Sequence, residues 1–170
     1  MDKRISEQIE ACRNELVALR RDFHQHPELG FEEHRTAQTI EAYLQDLGLA
    51  TRRVARTGVV ALLEGSGPGP VLMLRADMDA LPVTEENEVE YRSRNSGVMH
   101  ACGHDAHMAM LLVASKILSQ HTDAFAGTIK FVFQPNEEIA GALCMIEEGV
   151  LDRPTVDAVM GLHVWTPVPS

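Results

Sequence analysis

Apolar side chains recur at helical spacing in two stretches near the start of the chain. From Ile5 to Phe23 they return every three or four residues, which predicts one amphipathic helix. This helix is expected to stop near His26-Pro27, because a proline disfavours helical backbone in the residue before it. A second helix is predicted to end at Gly48, since glycine commonly closes a helix. The apolar face of the second helix consists of Ala37, Ile40, Leu44 and Leu47.

Shorter apolar runs follow these helices and predict strands. Residues 52–63 have the pattern of two strands separated near Thr57-Gly58, and residues 65–70 form the strongest turn signal in the chain. Beyond that turn, apolar runs alternate with helical segments, which is typical of βαβ units. We therefore predict an α/β fold of three layers, in which helices cover both faces of a sheet with parallel strands. The apolar runs are residues 71–74, 129–133 and 156–162, and the clearest helical segment is 108–118.

The bulk composition narrows the class of protein. The sequence has 170 residues, of which 45% are hydrophobic and 24% charged, so it is long enough and apolar enough for one domain with its own core. A formal net charge of −10 argues against nucleic acid or an anionic membrane as the main partner. The three cysteines are too scattered for a disulfide scaffold, and the sequence shows neither a membrane-spanning run nor an apolar signal core. These features predict a cytoplasmic protein.

Polar clusters fall where the predicted strands end or a helix begins. Asp77-Met-Asp79 follows one strand, Cys102-Gly-His104 precedes a helix, Glu137-Glu138 follows the next strand, and His163 follows the last. Functional groups of a parallel sheet collect at the carboxyl ends of its strands. Four segments that are far apart in sequence are therefore expected to meet in one crevice. This convergence carries more weight than any single motif.

A candidate set of metal ligands lies among these segments: Cys102, His104, Glu138 and His163. Their thiolate, imidazole and carboxylate groups suit Zn²⁺, Mn²⁺ or another first-row ion. Gly103 would let the backbone turn tightly enough for both of its neighbours to reach one ion. The alternative is that Cys102 is a small buried apolar residue and that His163 is a hydrogen-bonded histidine at a strand end.

The neighbouring carboxylates of Glu137 and Glu138 form a second signal. Neighbours on a strand point to opposite faces, so both side chains enter one site only where the backbone is irregular. Pro135 breaks the strand at that point. One carboxylate would then bind metal while the other accepts a proton from water that the metal activates. The alternative is a solvated acidic turn.

The other acidic and histidine residues have weaker assignments. Asp79 is a candidate for orienting a metal ligand, with Asp77 as a second candidate, and either could instead cap a helix or a turn. Asp105 is predicted to be a helix N-cap. His100 and His107 are expected either to bind substrate or to hydrogen-bond within the loop. The histidines predicted to lie at the surface are His24, His26, His34 and His121.

Four motifs occur in order along the chain. They are Leu74-Arg-Ala-Asp-Met-Asp-Ala-Leu-Pro82, Met99-His-Ala-Cys-Gly-His-Asp-Ala-His107, Phe133-Gln-Pro-Asn-Glu-Glu138 and Gly161-Leu-His-Val-Trp165. Together they resemble the aminoacylase/carboxypeptidase family of metallohydrolases. The branch they resemble contains hippurate hydrolase, the indole-acetyl-amino-acid hydrolases and N-acetyl-diaminopimelate deacetylase. Residues 21–31 also resemble the N-terminal signature of that branch, so the resemblance covers nearly the whole chain.

This resemblance implies an incomplete α/β metallopeptidase-like catalytic domain with a largely parallel mixed sheet. It implies two divalent ions, Mn²⁺ or Zn²⁺, with Co²⁺ or Ni²⁺ as alternatives. It also implies cleavage of the amide bond of N-acyl amino acids, such as hippurate or N-acetyl amino acids, by metal-activated water. The motif match assigns Cys102, His104, Glu138 and His163 as metal ligands, Glu137 as the general base and Asp79 as the catalytic aspartate that supports the metal site.

The resemblance further implies parts that this sequence does not contain. Family members are considerably longer, with an inserted smaller domain that dimerises, more of the catalytic domain and a late histidine ligand. Residues 1–170 are therefore expected to be the N-terminal portion of the catalytic domain of a homo-oligomer, and to be poorly active alone. Small departures are Asn136, commonly alanine in this branch, and Ile139-Ala140, which is often glycine-rich. The alternative function is a catalytically silent metal-binding fragment or interaction module of the same fold.

Overall fold

The computed structural model describes residues 3–165 of the chain. Its helices are α1 (Lys3–Ala11), α2 (Arg13–Gln25), α3 (His34–Asp46), α4 (His104–Ser119) and α5 (Gly141–Glu147), with short 3₁₀ turns at Thr122–Ala124 and Glu137–Ile139. Its strands are β1 (Thr51–Val54), β2 (Gly58–Glu64), β3 (Val71–Asp77), β4 (Thr128–Gln134) and β5 (Ala158–Gly161). The predicted α/β class is confirmed. No helix within residues 3–165 has the length and apolar character that a membrane crossing requires.

The N-terminal amphipathic segment is two helices, whereas its periodicity predicts one. Cys12 separates α1 from α2 with φ −85° and ψ −3°. Hydrogen bonds continue across this junction, since the N–H of Cys12 reaches the carbonyl of Gln8 and the N–H of Leu16 reaches that of Cys12. None of the residues of α1 is buried, while α2 buries Phe23 and His24. The change of ψ affects one residue and leaves the spacing of the apolar side chains unchanged, so the sequence does not reveal the break at Cys12.

The five strands form one mixed sheet in the order β1-β2-β4-β3-β5. The β1–β2 and β2–β4 pairs are antiparallel, whereas β3 pairs in parallel with both β4 and β5. The three apolar runs predicted as parallel strands are the ones that pair in parallel. Helix α4 connects β3 to β4, and α5 connects β4 to β5. The first two strands add an antiparallel edge through the short turn at residues 55–57.

Helices cover both faces of the sheet, as the sequence predicts. On one face α2, α3 and α4 pack against a core that includes Phe131 and Phe133 of β4. On the other face, a smaller core joins Met145 of α5 to Val60 and Val132. The neighbours Phe131 and Val132 enter different cores because successive side chains of a strand point to opposite faces.

The carboxyl ends of β3, β4 and β5 lie at one edge of the sheet because these strands are parallel. Asp77 at the end of β3 is opposite Gln134 at the end of β4, and Arg75 is opposite Gly161 at the end of β5. The loop of residues 78–103 returns to this edge, where His104 begins α4. The segments with candidate chemistry therefore start from the same edge of the sheet.

Strand β5 is the outermost strand on the β3 side and the least covered. All four of its residues are exposed, including Val159 and Met160. His163 follows it directly and is exposed as well. Among the candidate ligands His163 thus lies on a weakly packed edge, whereas His104 is fully buried.

Candidate metal centre

The first turn of α4 carries the most buried of the candidate ligands, His104. Its side chain is fully buried, and within residues 3–165 its Nε2 atom makes no hydrogen bond. Nε2 lies 3.7 Å from Oδ1 of Asp77, 3.8 Å from Oε2 of Glu137 and 3.9 Å from Oε1 of Glu138. A buried polar atom without a partner is unfavourable and calls for an explanation. Here that atom faces three carboxylates.

Asp79 fixes the orientation of the His104 ring. Nδ1 of the ring lies 2.8 Å from the main-chain carbonyl oxygen of Asp79 and 3.4 Å from its carboxylate Oδ1. With the Nδ1 proton donated to that carbonyl, the lone pair of Nε2 is left for a metal. Burial opposes charge on the ring, but the hydrogen bond to Asp79 and the charge of Asp77 raise the pKa of His104. The same carboxylates that favour a proton at this position favour a metal cation.

The acidic turn, residues 136–139, brings two carboxylates to one ring because its backbone is irregular. Asn136 adopts the left-handed conformation with φ 51° and ψ 44°, and a 3₁₀ turn begins at Glu137. Asparagine is among the side chains that tolerate this conformation best. Oδ2 of Asp79 accepts the main-chain N–H of Glu138 at 3.1 Å, which ties the turn to the segment after β3. The predicted irregular backbone is therefore present.

Cys102 and His163 lie next to each other, although 61 residues separate them. Sγ of Cys102 is 3.4 Å from Nε2 of His163. Gly103 has φ 90°, and a β-carbon on it would lie 2.3 Å from Cγ2 of Val164, so glycine is required between the loop and α4. Burial and the carboxylate of Glu138 raise the pKa of the Cys102 thiol to about 11. Without a cation nearby this side chain is a thiol at neutral pH.

His107 is close to the same cluster, but both of its nitrogens are already used. Nδ1 lies 2.6 Å from Oδ1 of Asp77, and Nε2 accepts the main-chain N–H of Val164 at 3.0 Å. These bonds join β3, α4 and the segment after β5. Of the two roles predicted for His107, hydrogen bonding is the one observed, although the residue lies in α4 and not in the loop.

Within residues 3–165 the donor atoms form three overlapping groups that fit a divalent ion, and His104 belongs to all of them. Within each group the ligand atoms lie within 4.8 Å of one another. Thiolate, imidazole and carboxylate donors fit Zn²⁺, Mn²⁺ and related ions. Nε2 of His104, which has no hydrogen-bond partner among the described residues, fits the same use. The structure thus brings all four predicted ligands together with Glu137 and places Asp79 in contact with His104. The groups are Cys102, His104 and His163; His104, Glu137 and Glu138; and Asp77, His104 and His107.

A buried ion-pair network beside the site is absent from the sequence predictions. His24, expected at the surface, is buried: its Nδ1 lies 2.6 Å from Oδ2 of Asp105 and its Nε2 lies 3.1 Å from Oε1 of Glu85. Asp105 also pairs with Nε of Arg20 at 2.9 Å. The prediction that Asp105 is an N-cap is wrong, because Gly103 occupies that position. The sequence shows only a polar segment around His24 and gives no sign of partners 61 and 81 residues away.

We expect this network to make stability fall as the pH rises above about 6.5. Burial opposes the charge of His24 and Arg20 works in the same direction, but the hydrogen bonds to Asp105 and Glu85 raise the pKa of His24 above its ordinary value. The stabilisation by the imidazolium is complete below about pH 6.5 and is lost as pH rises through the higher folded pKa. The melting temperature, measured by calorimetry across this range, should fall more steeply for the wild type than for His24→Gln. Parallel pH profiles for the two proteins would contradict the expectation.

A cavity of about 610 Å³ opens beside Cys102 and His163. Its walls include Arg20, Tyr91 and His100. His100 is 3% exposed, and neither ring nitrogen has a hydrogen-bond partner among residues 3–165. Burial lowers the pKa of His100 to about 4, so the ring is neutral. The cavity has the size of a small-molecule site next to the candidate ligands, and substrate binding by His100 stays a prediction.

Comparison with known proteins gives matches over nearly the whole chain. The family described as Peptidase family M20/M25/M40 matches residues 73–170. The chain is 48% identical over 163 residues to the N-acyl-L-amino acid amidohydrolase of Geobacillus stearothermophilus, and 46% identical over 151 residues to the N-acetyl-L-cysteine deacetylase of Bacillus subtilis. These alignments cover 94% and 88% of this chain but only 44% and 36% of the relatives. The chain therefore spans less than half the length of either relative.

A solved structure shows the same fold. The chain resembles a dinuclear metal-binding peptidase of the M20 family from Bacillus subtilis with a TM-score of 0.89 and 40% sequence identity. The match covers 94% of this chain and 45% of that one. The mixed sheet and its helices are therefore shared with a solved metallopeptidase.

Proposed function

This chain belongs to peptidase family M20/M25/M40, and from that premise we propose that it supplies the metal-binding part of an amidohydrolase acting on N-acyl amino acids. The substrate class is supported by relatives that are an N-acyl-L-amino acid amidohydrolase and an N-acetyl-L-cysteine deacetylase. The observation that carries the proposal is the cluster of thiol, imidazole and carboxylate groups around Nε2 of His104, which is buried and has no hydrogen-bond partner within residues 3–165. We further propose that residues 1–170 are the N-terminal portion of a catalytic domain and that the whole protein is a homo-oligomer.

The proposed ligands are Cys102, His104, Glu138 and His163. Two ions are proposed because the Bacillus subtilis peptidase that this chain resembles is dinuclear. Mn²⁺ or Zn²⁺ suits these donors, with Co²⁺ or Ni²⁺ as alternatives. When bound, the metal supplies Lewis acidity, which polarises the amide carbonyl and makes water more acidic.

Glu137 is the residue that we assign to proton transfer. Its side chain is 38% exposed and its Oε2 lies 3.8 Å from Nε2 of His104, so the carboxylate faces both solvent and the ligand cluster. A carboxylate in this position can take a proton from water and pass it to the leaving amine. Arg75, which also bonds Asp77, lies 4.0 Å from Oε1 of Glu137. Asp79 acts as a positioning residue, because it holds both His104 and the main chain of the acidic turn.

The test is hydrolysis of hippurate and N-acetyl amino acids by the full protein chain, that is, the whole protein of which residues 1–170 are proposed to be the N-terminal portion. Hydrolysis is measured as the release of free amino acid. We expect turnover that depends on added Mn²⁺ or Zn²⁺ and that is lost in Glu137→Gln. A protein that binds metal but releases no more amino acid than this variant would be a silent metal-binding module. That result would overturn the proposed activity.

We also expect bound metal to shield Cys102 from alkylation. A free thiol with a pKa of about 11 reacts slowly, and a thiolate that binds metal is covered. Iodoacetamide labelling at mildly alkaline pH, read for each cysteine by mass spectrometry, should be slower with metal than after chelation. Cys12 and Cys144, which are partly buried free cysteines, serve as internal controls and should label equally in both states. Equal labelling of Cys102 in both states, in protein shown to bind the ion, would contradict its assignment.

A further inference from the structure

The acidic turn is held by a buried carboxylate that the proposed reaction does not use. Glu33, just before α3, is fully buried. Its Oε1 accepts the main-chain N–H of Asn136 at 2.9 Å, and its Oε2 accepts the hydroxyl of Thr57 at 2.5 Å. The two bonds connect the start of α3 to the turn between β1 and β2 and to the acidic turn, 103 residues later in the chain.

We propose that Glu33 is a positioning residue for the acidic turn: its hydrogen bond to Asn136 sets where Glu137 and Glu138 stand relative to His104. Asn136 directly precedes the two glutamates and is the residue from which the 3₁₀ turn begins, so a hydrogen bond that fixes its N–H fixes the start of that turn. This inference rests on the proposed function, because it takes the acidic turn to carry a metal ligand and the general base.

The packing around Asn136 leaves the turn little freedom. A β-carbon on Gly30 would lie 2.0 Å from Oδ1 of Asn136, so the segment before α3 touches the turn directly. The carbonyl of Asn136 accepts the N–H of Gly141 at 2.7 Å. On the other side, Asp79 accepts the N–H of Glu138. The acidic turn is therefore held at two places. Gly30 and Glu33 contact Asn136, and Asp79 accepts the N–H of Glu138.

A buried carboxylate without a cationic partner indicates that Glu33 serves at this position as a hydrogen-bond acceptor. Burial raises the pKa of its carboxyl even though Thr57 and Asn136 donate hydrogen bonds to it, and these two partners are a hydroxyl and an amide rather than cations. An apolar side chain of similar volume would avoid the cost of burying a carboxylate. It would also leave the N–H of Asn136 buried without an acceptor. A neutral amide keeps an acceptor without the charge.

The experiment compares Glu33→Met with Glu33→Gln in the full protein chain. Methionine keeps the volume and removes both acceptor oxygens. Glutamine keeps the volume and one oxygen, which can accept the N–H of Asn136 while its NH₂ group donates to the hydroxyl oxygen of Thr57. Hydrogen exchange of the peptide that contains the acidic turn is measured without metal, and Co²⁺ affinity and the Co²⁺ absorption spectrum are measured by titration with the metal alone. For E33M we expect faster exchange in the turn, an altered spectrum and about tenfold weaker Co²⁺ binding, the size of effect known for groups that support metal ligands. For E33Q we expect wild-type behaviour in each measurement.

Lys130→Met is the matched control for general destabilisation. Lys130 is also fully buried and lies on β4, and its Nζ donates to the carbonyls of Val150 and Pro154 at 2.7 and 2.8 Å, not to the acidic turn. K130M should lower the melting temperature without changing exchange in the turn or Co²⁺ affinity. Wild-type exchange and affinity in E33M would overturn the inference, and so would equal losses in E33M and K130M.

A second variant covers the case in which E33M does not fold. Thr57→Val removes one of the two hydrogen bonds of Glu33 and conserves volume, so it should weaken Co²⁺ binding in the same direction but by less. Wild-type affinity in T57V would then overturn the inference. Failure of the proposed function looks different: a wild-type protein that binds Co²⁺ but cleaves no N-acyl amino acid refutes the activity and leaves the exchange and affinity comparison intact.

Discussion

Replacing Glu137 with glutamine is expected to lower kcat by about 10²–10⁴-fold, the usual cost of removing a general base, while metal stays bound. Glutamine has nearly the size of glutamate, so the ligand cluster around His104 should keep its shape. The amide does not accept a proton at neutral pH, so only proton transfer is lost. Metal content by mass spectrometry and kcat on N-acyl amino acids, measured on the same sample, check both halves of this expectation.

Glu138→Ala is the informative comparison because it changes the adjacent residue. The proposed ligand role of Glu138 predicts that metal affinity falls sharply in this variant, and activity should return in part when excess metal is added. Glu137 and Glu138 have similar distances to Nε2 of His104, 3.8 and 3.9 Å, so distance alone does not separate their roles. Loss of metal in Glu137→Gln together with its retention in Glu138→Ala would show that the two roles are reversed.

Replacing His104 with alanine should weaken metal binding by more than about 100-fold, beyond the effect of removing a supporting group. His104 belongs to all three donor groups found within residues 3–165, and Asp79 already orients its ring. Isothermal titration with Zn²⁺ or Mn²⁺ measures the loss. His34→Ala is the control, because that histidine is exposed and forms an ion pair with Glu32, which is exposed as well.

His104→Gln should accompany the alanine variant, because alanine leaves a cavity in a fully buried place. Circular dichroism shows whether each variant keeps its fold before affinities are compared. An affinity close to that of the wild type in either folded variant would place the metal away from His104.

The elements that a local pattern encodes could be predicted from the sequence. Strands β3 and β4 are apolar runs bounded by turn signals, and α4 follows a glycine that closes a loop. Parallel strands share one carboxyl edge, so the sequence also predicted that the candidate ligands lie together at the edge where these elements meet. The break at Cys12 could not be predicted, because it is a single change of ψ within continuous apolar periodicity.

Burial of charged residues was the part that the sequence did not reveal. His24 and Glu33 lie in polar stretches that a helix normally presents to solvent, and each is buried because its partners arrive from distant segments. Such burial depends on pairwise hydrogen bonds and not on periodicity. Chemistry predicted that one of the two glutamates binds metal and that the other accepts a proton, whereas the family resemblance assigned Glu138 to the first role and Glu137 to the second. The acidic turn supplies the irregular backbone that this chemistry needs.

The exposed position of β5 has a thermodynamic consequence for metal binding. His104 is part of the packed core, whereas His163 follows a strand whose four residues are all exposed. Such a segment belongs to the part of a structure with a low free energy of local opening. An ion that binds both histidines must restrict this segment, so the loss of conformational entropy offsets part of the contact free energy. By linkage, the population of the opened edge should decrease as metal concentration rises, while the helices around His104 respond much less.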